Sequence, residues 1–508
     1  MATWQIVLYT ILGLLAAFLV LTLIRAALFT PKKQAYDPLP EEAVDQGRLT
    51  RHLSEAIRIP TVSYPDQKDV DWAQFERFHA FLRESYPLIH QKLTCEVVPP
   101  ANLLYCWKGK HASLDPIAML AHQDVVPVEE GTESDWTHPP YEGYHDGEFI
   151  WGRGALDMKN HLISVMEAVE TLLEEGFEPE RDVYLLFGDK IADQLAGDQT
   201  EDPGTDEEVV ASQNSGARAL MQLLQERGVH LDCVLDEGGA ILPAKVKGIL
   251  DQYLAGIGVA EKGYADFEIS VSSRGGHSSQ PPQHTALGEL AEVIRDLENH
   301  QCKSKMTDMV YSLFQKIGRN VSYPARIVTC NLWLLKPLVL AVMKKIPPAA
   351  SLIRTTTGAT MAQGSPAANV LPQRASVTVN FRMMPGDSIA GVERHIHKVV
   401  RNKNIEVKLL KGKEPSKISP TDSRCFAILE ELCMRTNPNY IVAPYLVMGG
   451  TDSYHYEPIC ENIYRFAPFV VDTSLLLCTH STNERVPVKA LTEGVAFFKQ
   501  YIRRASGQ

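Results

Sequence analysis

The chain has 508 residues, 45% of them hydrophobic and 22% charged. That is ordinary globular composition, but the length is too great for one hydrophobic core, so two or three folded units are expected. A formal net charge of -12 excludes nucleic acid as a main partner, because phosphate binding needs a basic face.

The first element is an apolar run from Ile6 to Ile24 without a single charge. At roughly 1.5 Å per residue, about 19 helical residues cross a hydrocarbon core of about 30 Å. No Lys or Arg precedes the run, whereas Arg25, Lys32 and Lys33 follow it. A cleaved signal normally has the opposite order, so a single retained anchor is expected, with a cleaved signal and a secreted or lumenal chain as the alternative. Read by the positive-inside rule, the flanking charge places the body on the cytoplasmic side. Residues 1–30 are thus the anchor or signal, and a polar, proline-containing stretch over 31–48 is the linker.

From Leu49 the pattern alternates between amphipathic helical stretches ("LTRHLSEAIRI", "LISVMEAVETLLEEG") and short apolar runs ("LLYCWKG", "DPIAMLAH", "DVYLLFG"). This predicts an α/β unit, a sheet with helices on both faces, over 49–262. After Lys262 the strands alternate apolar and polar as in "ADFEISVSS", and helices follow them. This predicts a separate inserted α+β unit over 263–388, with the α/β body resuming over 389–508. The run "TCNLWLLKPLVLAVMKKIPPAASLI" is broken by Lys336, Lys344 and Lys345 and is a poor membrane span. Core or dimer packing is its default reading, and an apolar wall for an acyl chain is the sharper one.

Several acids and histidines recur at strand ends. "MLAHQDVVPV" delivers His122 and Asp124 where an apolar strand stops, the place where ligands collect in open α/β sheets. An aspartate there can orient the imidazole of a metal-bound histidine. "WGRGALDMK" offers Asp157 at a helix start, where the plain reading is an N-cap. "TDEEVV" pairs Glu207 with Glu208, "CVLDEGG" puts Asp236 after another apolar strand, and "LLLCTHSTNE" does the same for His480. Two imidazoles and several carboxylates suit a pair of zinc ions, which a shared carboxylate can bridge.

Taken in order, "AHQDVVPV", "WGRGALDMK", "DEE", "DEGG", "RGGHSS", "NVLP", "FRMMPGD", "GGTDS" and "HSTNE" resemble the di-zinc amidohydrolases and exopeptidases that include glutamate carboxypeptidase, aminoacylase and carnosinase. The resemblance runs from about Leu49 to the C-terminus. "LIRTTTGATMAQGSPAANVLP" and "NLWL" look most like the N-fatty-acyl-amino-acid synthase/hydrolase branch. It implies two Zn2+ per subunit, one held by His122, Asp157 and Asp236, the other by Glu208, Asp157 and His480. Asp124 would orient His122, and Glu207 would be the general base. It further implies a zinc-exopeptidase-like catalytic domain with an inserted lid and dimerisation domain. His277 would be an oxyanion donor within a homodimer. Arg382, and more weakly Asn369, would grip the substrate carboxylate, with Gly449, Gly450 and Thr451 as a substrate-side turn.

The reaction implied is hydrolysis of N-acyl, in particular N-fatty-acyl, amino acids, or their synthesis from fatty acid and amino acid when run backwards. A dipeptidase or carboxypeptidase of the same family is the alternative. A catalytically impaired relative that binds acyl amino acids is a third reading. It draws on one departure from the family pattern. Asp189 to Thr205 intervene between the strand "DVYLLFG" and the acid pair. Their Gly, Pro, Asp and Gln content reads as a solvated loop, with the upstream acids on its solvent face.

Overall fold

The computed structural model describes residues 3–31, 36–64, 66–189 and 216–507. Its main element is a nine-stranded mixed sheet. From one edge, the strands run Thr94–Val98, Asn102–Trp107, Val183–Gly188, Ile117–His122, Cys233–Asp236, Ile463–Arg465, Leu250–Glu261 and Tyr440–Val447, with Ile241–Val246 paired to Leu250–Glu261. Ile117–His122 lies parallel to both Val183–Gly188 and Cys233–Asp236. These central strands are buried along their whole length, which explains why they read as continuous apolar runs rather than alternating ones.

Both faces are covered. One carries Gln46–Ile57, Lys159–Glu174, Arg424–Thr436 and Val488–Ala505, which pack together over Met119, Leu185 and Leu235. The other carries Gly216–Glu226 and the turn Asp452–Tyr456, over Leu120, Leu186 and Val234. Alternate residues of a strand serve opposite cores, as the pleat requires.

A second, four-stranded antiparallel sheet runs Thr356–Gln363, Arg374–Met383, Gly263–Ser272, Ile405–Lys413. Its own core joins Phe267, Ile269, Val377 and Phe381 to the helices Ala286–Asn299 and Ile389–Val399. The sheet therefore extends to Lys413, beyond the boundary expected at 388. Ile405–Lys413 has no local partner and completes the edge beside a strand about 140 residues earlier.

Between these strands, the helices Asp308–Gly318, Tyr323–Cys330, Leu332–Met343 and Pro347–Ser351 leave the small sheet. They pack on the body, where Met309, Val310, Leu332, Val339 and Met343 join its core. The N-terminal helix Thr3–Leu28 is apolar enough to cross a membrane, and of its residues only Thr22 and Ala26 are buried.

Candidate active site

Four segments meet at the carboxyl end of the central strands. The strand Ile117–His122 ends in His122, which is 5% exposed. Its Nδ1 lies 2.9 Å from the carbonyl oxygen of Asp124 and 3.3 Å from Asp124 Oδ1, and Asp124 is fully buried. A carbonyl only accepts, so Nδ1 carries a proton, and Nε2 is the nitrogen that can offer a lone pair to a metal. Nε2 faces Asp157 Oδ1 at 3.1 Å and Glu237 Oε1 at 3.9 Å.

Asp157 is not the N-cap of the helix behind it. That helix begins at Lys159, and its cap is Met158, with no side-chain hydrogen bond. The Asp157 carboxylate lies between two imidazoles instead: Oδ1 faces His122, and Oδ2 lies 2.8 Å from His480 Nε2. His480 adopts a positive φ of 61°, and its side chain is 59% exposed, so it approaches Asp157 from the solvent side.

The loop that carries Asp157 is fixed from below. Glu484, 1% exposed, accepts from the backbone N–H groups of Leu156 and Asp157 at 2.8 and 3.0 Å and from Arg153 Nη1 at 2.8 Å. Burial raises its pKa, and Arg153 and the two backbone donors oppose that shift. Lys159 is fully buried and donates to the carbonyls of Ala56 and Ile59 at 2.8 and 2.6 Å. Burial lowers its pKa to about 7 against the pull of Asp124 and Glu484. Glu237, Glu484 and Lys159 all lie inside "DEGG", "HSTNE" and "LDMK", but nothing in the sequence pattern distinguishes them from their neighbours.

Asp236 departs from expectation. It closes the strand Cys233–Asp236 on the face of Val234, beneath the turn Asp452–Tyr456. Its two oxygens accept from the N–H groups of Glu237 and Ser453, each at 2.8 Å. The next residue, on the opposite side of the pleat, is the acid that stands with His122 and Asp157. Ligand atoms of His122, Asp157 and Glu237 all lie within 4.8 Å of one another. An imidazole nitrogen and two carboxylates converging on one point are the ligand types that hold a zinc-type ion, so this donor set fits one.

Glu207 and Glu208, and the acidic run from 190 onward, lie outside the described residues. Asp189 is described, and it is not a solvent-facing loop acid. It is 2% exposed, and the Ser63 hydroxyl donates to it at 3.2 Å.

The expected substrate groups stand elsewhere. His277 is exposed, with Nδ1 2.8 Å from the Ser279 hydroxyl. It shares an open cavity of about 520 Å³ with Asn369, Pro366 and Arg374, to which none of His122, Asp157, Glu237 and His480 contributes. Arg382 is exposed on the small sheet, its guanidinium 5.5 Å from the Tyr264 ring centre. Thr451 is buried, and its N–H and hydroxyl both donate to Glu261, at 2.7 and 3.0 Å. Gly449 and Gly450 precede it, and none of the three lines the cavity beside the carboxylates. That cavity, about 260 Å³, starts at Asp157 and Glu237 and continues between Met158, Leu242, Leu254 and Phe469. No residue of 323–353 lines it, so the expected acyl wall is not formed by that segment.

Comparison with known proteins agrees with this architecture. Residues 118–189 match the peptidase family M20/M25/M40, and residues 259–408 match its peptidase dimerisation domain. A probable carboxypeptidase S-like 2 of Dictyostelium discoideum is 33% identical over 97% of this chain and 92% of its own length. The N-fatty-acyl-amino acid synthase/hydrolase PM20D1 of Mus musculus is 33% identical over 92% of this chain and 90% of its own. Among solved structures, the M20 family metallo-carboxypeptidase Sso-CP2 of Sulfolobus solfataricus superposes with a TM-score of 0.64 at 16% identity, covering 90% of this chain and 99% of that one. Human carnosine dipeptidase 1 gives 0.57 at 15% identity, covering 91% and 96%. The chain belongs to the M20 metallopeptidase family. It is a metal-dependent hydrolase, with the family's dimerisation domain inserted in its α/β body.

Proposed function

We propose that the protein hydrolyses the amide bond of N-fatty-acyl amino acids, and forms that bond when the equilibrium is run backwards. The observation that carries this reading is the cavity at the carboxylates. It leaves Asp157 and Glu237 between Met158, Leu242, Leu254 and Phe469, an apolar lining that suits a hydrocarbon chain better than a second amino acid. The full-length similarity to an N-fatty-acyl-amino acid synthase/hydrolase supports it. Similarity to carboxypeptidase S of Saccharomyces cerevisiae, 31% identical over 92% of this chain, keeps the peptidase reading as the alternative.

Two zinc ions are assigned to the site. His122, Asp157 and Glu237 would hold one, with Glu237 in the place expected of Asp236. Asp157, His480 and Glu208 would hold the other. When bound, the pair lowers the pKa of a water and polarises the acyl carbonyl. The chain's own groups do the rest. Asp124 keeps the proton of His122 on Nδ1, and Glu484 holds the backbone of Asp157. Glu207 takes a proton from the attacking water as its oxygen bonds to the carbonyl carbon, then gives that proton to the amine nitrogen as the C–N bond breaks. In a homodimer, His277 and Asn369 meet the partner's substrate, His277 donating to the oxyanion and Asn369 and Arg382 to the carboxylate. The N-terminal helix keeps the enzyme on a membrane.

Purified full-length protein is assayed for metal by mass spectrometry and for hydrolysis of N-oleoyl-phenylalanine against a plain dipeptide. Two zinc ions per chain and a clear preference for the oleoyl substrate are expected. Preference for the dipeptide would move the assignment to the peptidase reading, and absence of zinc and of turnover would end both. Glu207→Gln should keep its metal and lose turnover.

A further inference from the structure

The helices Tyr323–Cys330 and Leu332–Met343 form an elbow of 106°, with Asn331 at the corner. The second arm is apolar except for Lys336. Leu332, Val339 and Met343 face the body and are buried, whereas Leu334, Leu338 and Val342, four residues apart, are 43%, 57% and 53% exposed. Trp333 and Ile346 extend that exposed stripe at 55% and 50%. So large an apolar stripe on a folded surface marks a contact with something apolar.

Its neighbour identifies the occupant. The elbow is docked along the C-terminal half of the apolar N-terminal helix. Asn331 Nδ2 donates to the Thr22 carbonyl at 3.3 Å, the Tyr323 hydroxyl to the Leu23 carbonyl at 3.1 Å, and Arg25 Nη2 to the Cys330 carbonyl at 3.4 Å. Trp333 meets the Phe18 ring edge-on at 5.8 Å. Arg25 marks the polar end of the N-terminal helix, and Phe18 lies about 10 Å before it along the helix axis. A helix that lies in a membrane interface buries its apolar face about 5–10 Å deep, so Trp333 stands at that depth. Lys336 is exposed on the same arm and Lys344 and Lys345 just beyond it, and long stems of this kind can reach headgroups.

We propose that the elbow Tyr323–Met343 is a second membrane contact, lying in the bilayer interface beside the N-terminal helix with Trp333, Leu334, Leu338 and Val342 among the acyl chains. This rests on the reading that the N-terminal helix is retained in a bilayer. Two points of contact fix the tilt of the body against the membrane, which a single helix followed by a linker does not. The first arm also packs with the body near the cavity: its Ala325, and Val321 just before it, share a cluster with Leu254, which lines the cavity. The enzyme would therefore hold its acyl-chain cavity at a fixed height over the surface from which lipid-like substrates come.

Lipid photo-crosslinking tests this on the full chain reconstituted in phosphatidylcholine vesicles containing one-fifth phosphatidylserine. Benzoylphenylalanine is placed in turn at Leu338, at Leu15 in the N-terminal helix, and at Val97, which is exposed on the far edge of the body sheet. Phospholipid adducts at positions 338 and 15 but not at 97 are expected. Adducts at 15 with none at 338, or crosslinks from 338 to a second copy of the chain, would overturn the elbow and leave the anchor standing. Adducts at 338 alone would overturn the anchor, and with it the proposed contact beside the N-terminal helix. Lipid adducts at neither would overturn both. Each substitution is at an exposed position, and a retained melting temperature shows that the variant is folded.

Discussion

His122 and His277 both stand at the end of a strand, and the fold treats them in opposite ways. His122 is buried at the centre of the large sheet, its tautomer set by Asp124 and its Nε2 among carboxylates. His277 is exposed on the small domain, with Ser279 beside it, in a cavity to which the body contributes none of His122, Asp157, Glu237 and His480. On the proposed reading, the large sheet preorganises half an active site within one chain, and the small domain displays the other half outward. A fold with a dimerisation domain resolves this if each displayed half serves the partner's buried half.

The largest effect should come from the carboxylate between the two imidazoles. Asp157→Asn is expected to lower kcat by about 10³-fold or more and to remove bound metal, as judged by single-turnover hydrolysis and metal analysis. Retained zinc with a normal rate would show that the buried half is not the reacting centre. Next, Glu237→Gln and Asp236→Asn separate adjacent acids. Glu237→Gln should weaken metal binding by about 10–100-fold or more, read by competition with a chelator. Asp236→Asn should chiefly lower the melting temperature, because its oxygens accept from backbone N–H groups. The reverse pattern would return the ligand role to Asp236.

A milder effect is expected below the site. Glu484→Gln leaves Arg153 poorly paired and loosens the hold on the Asp157 backbone. It should cost about 10–100-fold in kcat/KM with the fold intact by circular dichroism. The smallest effect tests the junction between the two sheets. Glu261 is fully buried and is bonded by Lys413 and Thr451, with Arg465 nearby. Burial alone would raise its pKa, but Lys413, Arg465 and the hydrogen bonds outweigh that, and the net shift is downward. A carboxyl whose folded pKa is lowered stabilises the fold above its unfolded pKa of about 4.3, and loses that contribution as pH falls toward the folded value. Glu261→Gln should therefore lower the melting temperature at pH 7, and the gap to wild type should narrow by pH 4. A gap that widened at pH 4 would contradict the pairing.

The order of motifs made the buried half legible. His122 closes a strand with Asp124 just beyond it, Asp157 lies in the turn before a helix, and His480 follows the short helix Thr473–Leu476 rather than the expected strand; the structure brings all four together. What sequence left open was decided by direction rather than by residue type. In "DEGG" one acid closes the strand and the next follows it, and the chain direction there turns the first under Ser453 and the second toward His122. Asp189 opens an acidic run yet is buried against Ser63, because the strand before it has not yet reached the surface. Thr451 lies in a Gly-Gly-Thr turn that suits a substrate site, but its donors are taken by Glu261, some 190 residues away. The small sheet runs past 388 because its last strand pairs over a long range. The apolar run at 329–353 reads the same whether it lines a cavity, fills a core or faces a bilayer. Its partners, Thr22 and Phe18, are some 300 residues distant.

Complementation between two inactive variants tests the division of the site most directly. Asp157→Asn breaks only the buried half and His277→Ala only the displayed half, so each homodimer should be nearly inactive. Co-expressed in equal amounts, they should recover about one quarter of wild-type hydrolysis of N-oleoyl-phenylalanine, since half of the dimers are mixed and each mixed dimer regains one intact site of two. A mixture no more active than its parents, with mixed dimers confirmed by differential tags, would contradict the account.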